Sequence, residues 1–166
     1  YPHERPKHPF PYWSEVWPGL EYVVATGLIQ EGRRRDAERV IRDVRARFDG
    51  AKRNPFDEME CGHHYARSMA SWGAVLAWTG FDWDGRSGAM TFAAAEKRAR
   101  WFWSNGEAWG TVAQRPGRRG RSVALTVLSG RLRLRKLALR DAGEAAWPRG
   151  KTLQAGASVR CTISPG

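Results

Sequence analysis

The chain has 166 residues, 42% of them hydrophobic and 27% charged, a balance that suits a folded globular unit and excludes a disordered tail. No run of about 18 apolar residues occurs, which excludes a transmembrane helix. Two cysteines, Cys61 and Cys161, are too few for a disulfide framework. The net charge of +11 is unevenly spread: residues 1–92 carry 13 basic and 13 acidic side chains, and residues 93–166 carry 15 and 4.

The chain opens Tyr1-Pro2-His3-Glu4, with no initiator Met and no apolar signal segment, and reads as a piece of a longer protein. Its first ten residues, rich in Pro and His, are expected to be extended. A helix is predicted from Glu15 to about Glu31, with Leu20, Val23, Val24, Leu28 and Ile29 on one side and Gly32 as its stop. A second is predicted from Arg34 to Phe48, where Ala37, Val40, Ile41, Val44 and Phe48 form one core-facing stripe and the arginines a solvated face. The Pro-interrupted stretch Arg53–Glu60 breaks the pattern. A third helix is expected from Gly62 to Thr79, with Tyr65, Met69, Trp72 and Val75 on one stripe and Gly80 past its end. Beyond residue 90 the period falls to two. Ser122–Leu128 and Arg131–Leu134 are expected to form a hairpin about Ser129-Gly130, with a final strand at Val159, Cys161 and Ile163.

The densest chemistry lies between Arg53 and Trp72. A loop bearing Asp57, Glu58 and Glu60 runs towards His63, His64, Tyr65 and Arg67. Carboxylates near a helix start are favourable for the dipole alone. A partly buried Arg67, however, needs a carboxylate partner, and Glu58 or Glu60 is the nearest supply. Carboxylate and guanidinium groups side by side match the vicinal hydroxyls of a sugar. Trp13 and Trp17 offer faces on which a pyranose packs, with Glu15 as a further hydroxyl acceptor; either tryptophan could equally fill a core.

Other readings are less specific. Cys61-Gly62-His63-His64 lacks two further convergent zinc ligands, and Asp82-Trp83-Asp84-Gly85 lacks the later positions of a calcium loop, so no metal and no cofactor are expected. The basic C-terminal part carries no nucleic-acid reader motif, and 23 of the 28 basic residues are Arg, so nucleic acid is not expected as a partner.

The combination Trp13-Ser14-Glu15-Val16-Trp17-Pro18-Gly19-Leu20-Glu21-Tyr22, the Gln30-Glu31-Gly32 helix end, and Asn54–Gly62 leading into His64-Tyr65-Ala66-Arg67-Ser68-Met69 resembles glycoside hydrolase family 116. That family includes the bile-acid β-glucosidases (non-lysosomal glucosylceramidases) and bacterial β-glucosidases and β-xylosidases. The resemblance covers residues 9–95, extends loosely to 114, and leaves the last fifty residues unmatched; Pro18 departs from the expected Thr or Val. It implies a fold that is mainly α followed by β: the final hairpins of an (α/α)6 barrel over residues 1–92 and a β-rich segment over 93–166. It further implies a retaining β-glycosidase whose nucleophile and acid/base lie upstream, so that this chain holds no catalytic residue and is inactive alone. Glu58 and Arg67 then correspond to glycon-binding positions, with Trp13, Trp17, Glu15 and His64 beside them. The implied partners are a β-linked glucoside or xyloside and the rest of the catalytic domain; the sequence leaves the compartment open, with the cytoplasm favoured. Two alternatives accompany this reading: another (α/α)6 carbohydrate hydrolase, glucoamylase- or trehalase-like, and a non-catalytic module binding sugar or nucleic acid.

Overall fold

The computed structural model describes residues 7, 8, 12, 15–61 and 65–164. Strand makes up 45% of it and helix 27%. The chain divides into two compact units, residues 1–78 and 79–166. The first holds helices α1 (Pro18–Gln30) and α2 (Arg34–Arg47), the short strands β1 (Met59–Glu60) and β2 (Tyr65–Ala66), a 3-10 turn over Arg67–Ala70, and α3 (Ser71–Thr79). The second is a curled sheet of β3 (Asp82–Asp84), β4 (Ala89–Ala93), β5 (Ala99–Ser104), β6 (Ala108–Gly117), β7 (Gly120–Arg140), β8 (Gly143–Gln154) and β9 (Ser158–Ile163). This overturns the expected fold class. Three short helices and a curled, half-barrel sheet are not the end of an (α/α)6 barrel. The β unit begins well before residue 92, because β3 and β4 already pair into the sheet.

In the first unit, α1 and α2 form a hairpin through Gly32, whose φ of 75° lets the Arg33 amide reach back to the Leu28 carbonyl at 2.8 Å. Pro18 sits at the start of α1, where its missing N–H costs nothing and its fixed φ suits the helix. The predicted span of α2 is right to within one residue, and Ala37, Val44 and Phe48 are buried as expected. The apolar faces of α1 and α3 are not those predicted. Beyond Pro18 and Gly19 in the first turn, Tyr22, Ala25 and Ile29 are the buried positions of α1, at spacings of 3 and 4, whereas Leu20, Val23 and Val24 are exposed. Tyr65, Met69, Trp72 and Val75 are all exposed, and Ala74 and Thr79 are the buried residues of α3. That helix also starts nine residues later than expected. Tyr65 and Ala66 are drawn into extended pairing with Glu60 and Met59, and the 3-10 turn follows.

In the second unit β7 runs unbroken through Ser129-Gly130, so the predicted hairpin is absent. The buried positions switch parity along this strand, from Val123, Leu125 and Val127 to Leu132 and Leu134, and back to Leu137 and Leu139. Local irregularities in one long strand produce that switch, which in sequence looks like a turn. Register shifts occur where Trp109 and Gly110 face β7 and between Leu134 and Lys136. Gly130, at φ 81°, lies opposite Ala108, where a Cβ would strike the Glu107 carbonyl. The first half of β7 pairs with β6 and β9, and the second half with β8 and, in parallel, with β4. One strand thus serves two sheet portions whose inner faces share a core of Met90, Phe92, Trp103, Val112, Leu125 and Leu137.

Candidate functional site

Glu58 and Glu60 flank Met59, and each is buried and paired with its own half-exposed arginine. Glu58 is 0% exposed. Its Oε1 accepts a hydrogen bond from the Tyr22 hydroxyl at 2.9 Å and one from Arg45 Nη1 at 2.5 Å. The same Arg45 nitrogen also donates to the Pro55 carbonyl at 3.2 Å, which ties the loop to α2. The Glu58 amide donates to Ser68 Oγ at 3.2 Å, and its carbonyl accepts the Arg67 amide at 2.8 Å. With the backbone fastened on both sides, the carboxylate has a fixed direction. Its second oxygen, Oε2, is buried and has no hydrogen-bond partner among the described residues. An acceptor left in that state carries an unrecovered desolvation cost.

Glu60 is set against the opposite element. Its Oε1 accepts the Gly19 amide in the first turn of α1, and its Oε2 accepts Arg67 Nε at 2.9 Å. A carboxylate at that place satisfies one of the open N–H groups of the helix and lies at the positive end of its dipole. Gly19 is required by this approach, because a Cβ there would stand 2.7 Å from Glu60 Oε1 and 3.3 Å from the Arg67 side chain. Arg67, half-exposed, also lies over the Tyr65 ring at 4.5 Å.

Glu58 and Arg67 are therefore neighbours through the backbone but are not a side-chain couple. Each ionic group is claimed by another partner. Trp17 and Glu15 lie together just ahead of α1, with Trp17 Nε1 donating to Glu15 Oε2 at 3.3 Å and the Tyr12 ring edge-on to Trp17 at 6.2 Å. Only Pro18 separates Trp17 from Gly19, which touches the Glu60–Arg67 pair. Trp13 and His64, the other two expected sugar contacts, lie outside the described residues.

Two residues of the cluster escape a reading of the sequence, Tyr22 and Arg45. The signal for them exists. Two buried carboxylates on alternate positions of an extended segment need two cationic partners, and a second arginine beyond Arg67 can come from a neighbouring helix, as Arg45 does. Burial, reinforced by the bond to Glu58, pushes the Tyr22 hydroxyl up to about 12. The bonds to Tyr22 and Glu58 raise the Arg45 guanidinium although burial acts against them.

Elsewhere, Asp84 holds its own turn, accepting Ser87 Oγ at 2.6 Å and the Arg86 amide at 2.9 Å, and these bonds lower its pKa. The described residues contain no group of three His, Cys, Asp or Glu side chains able to hold a metal ion. Compared with known proteins, the chain matches no family model and no curated protein.

Proposed function

We propose that the Glu58/Glu60 cluster of residues 15–78 holds the glycon of a β-linked glucoside or xyloside in a retaining β-glycosidase. The observation that carries this reading is the state of Glu58: a carboxylate fixed at one oxygen by Tyr22 and Arg45, with the other buried and without a hydrogen-bond partner among the described residues. A ring hydroxyl reaching Oε2 supplies the missing donor, and the directional restraint makes that contact selective for the hydroxyl's position. Arg67, held by Glu60, half-exposed and tied to Glu58 through the backbone, offers further donors. Trp17, at the N-cap of the helix that carries Gly19, adds an apolar face. The reaction class rests on the resemblance of residues 9–95 to glycoside hydrolase family 116.

Neither buried glutamate is placed for attack or for proton donation. Each is committed to an arginine, which suits holding a substrate better than covalent chemistry. Retaining hydrolysis needs two carboxyl groups roughly 5 Å apart across the scissile bond. In this proposal other segments of the catalytic domain provide that pair. Residues 15–78 provide the grip that strengthens as the sugar distorts.

The test is hydrolysis of aryl β-glucosides and β-xylosides by the protein purified from its natural source, and by its Glu58→Gln and Arg67→Ala variants, with melting temperatures recorded alongside. Loss of about 2–4 kcal/mol of transition-state binding is expected, a fall of roughly 30- to 1000-fold in kcat/KM. An unchanged kcat/KM in the Glu58→Gln variant removes Glu58 from the site.

A further inference from the structure

The β unit carries a second surface, independent of the glutamate cluster. Across the outward face of β5, β6, β7 and β9 the register sets Arg100, Ala113, Ala124 and Arg160 in one row. The next row is Phe102, Thr111, Thr126 and Ser158. At the charged end lies a recess of about 380 Å³, walled by Arg98, Arg100 and Arg115 over a floor that includes Ala113, Ser122 and Ala124. Small floor residues leave the guanidinium groups standing above the sheet. Among the described residues none of these arginines forms an ion pair. Gln114, buried beneath, bonds Ala93 and Ala95 at 2.9 and 3.0 Å and pins the connection that leads to Arg98. About 7 Å along the strands from Arg100, as two residues of strand dictate, Phe102 faces Trp109 with ring centroids 6.2 Å apart. Both rings are about half-exposed.

We propose that this face binds an acidic polysaccharide. A uronate carboxylate enters the arginine recess, the chain crosses the hydroxyls of Thr111 and Thr126, and a neutral sugar ring rests on Phe102 and Trp109. Charge complementarity selects an anion, because three forked donors converge on one small volume. The distribution of that charge selects a glycan over a nucleic acid. A nucleic acid carries a phosphate at every nucleotide and needs cations along its whole track. Here, in the direction of Phe102 and Trp109, the cations end at the row of Arg100 and Arg160, and hydroxyls and aromatic faces follow.

The test is titration of the full chain with polygalacturonate at moderate salt, set against galacturonate monomer, a neutral β-glucan and oligothymidylate. Polygalacturonate is expected to bind best. Its affinity should fall about tenfold or more for each of Arg98→Ala, Arg100→Ala and Arg115→Ala, and severalfold for Trp109→Ala. A control variant combining Arg131→Ala, Arg140→Ala and Arg149→Ala, which removes three charges from elsewhere on the unit against one in each recess variant, should bind as before. The proposal fails if polygalacturonate does not bind, if oligothymidylate binds more tightly, if the monomer binds as tightly as the polymer, or if the control variant loses as much affinity as the recess variants.

Discussion

Tyr22 brings its hydroxyl to a buried carboxylate, and a pH dependence follows from that. Its folded-state pKa of about 12 lies above the ordinary value of 10.0. The stabilisation is therefore fully present below pH 10 and is lost as the pH rises from 10 to 12, where the unfolded chain ionises first. In a Tyr22→Phe variant, urea denaturation should show lower stability at neutral pH by about 1–3 kcal/mol, since Glu58 loses a donor, and a flatter decline above pH 10. An identical alkaline slope in both proteins would detach Tyr22 from Glu58. Two glycines of the same helix give a paired prediction. Gly19→Ala drives a Cβ against Glu60 Oε1 and should destabilise by about 1–3 kcal/mol. Gly27→Ala meets nothing within 4 Å and should stabilise by about 0.5–1 kcal/mol through helix propensity. Thermal melts of the two variants should therefore move in opposite directions.

At the scale of elements, β7 organises the second unit, and Gln114 is the polar group its core depends on. Replacing Gln114 by Leu leaves the Ala93 carbonyl and the Ala95 amide without their partner. A cost of about 2–4 kcal/mol is expected in denaturant unfolding. A neutral effect would show that the β4–β5 connection finds other bonds. The legibility of each element depends on how sharply its residues sort. In α2 the charged and apolar residues separate cleanly at helical spacing, so its span and buried face can be read directly. The residues of α1 and α3 are apolar nearly all round, and periodicity cannot choose between Tyr22–Ala25–Ile29 and Leu20–Val23–Val24. The switch of buried parity in β7 is visible in sequence, but bulges and a turn leave the same trace there. Only long-range pairing with β6, β8 and β9 distinguishes them.

For the molecule as a whole, the two units differ in chemistry as well as architecture. Residues 79–166 hold 16 basic and 6 acidic side chains, and residues 1–78 hold 12 and 11. The second unit has its own core of fully buried side chains, including Leu125, Leu134 and Trp103. Residues 79–166 expressed alone should therefore keep their β circular dichroism and unfold cooperatively; a non-cooperative melt would show that this core is incomplete. The acidic loop, Glu58 and Arg67 stand out in sequence as a dense polar cluster. The pairing within it does not, because Tyr22 and Arg45 come from helices whose facing surfaces only the fold establishes. The most direct test of the account is a crystal structure of the protein with a glucose-configured iminosugar bound. The prediction is a ring hydroxyl within hydrogen-bond distance of Glu58 Oε2, with Oε1 still held by Tyr22 and Arg45 and with Arg67 still on Glu60. A sugar bound away from this cluster, or an Oε2 closed off by a protein donor, would contradict it.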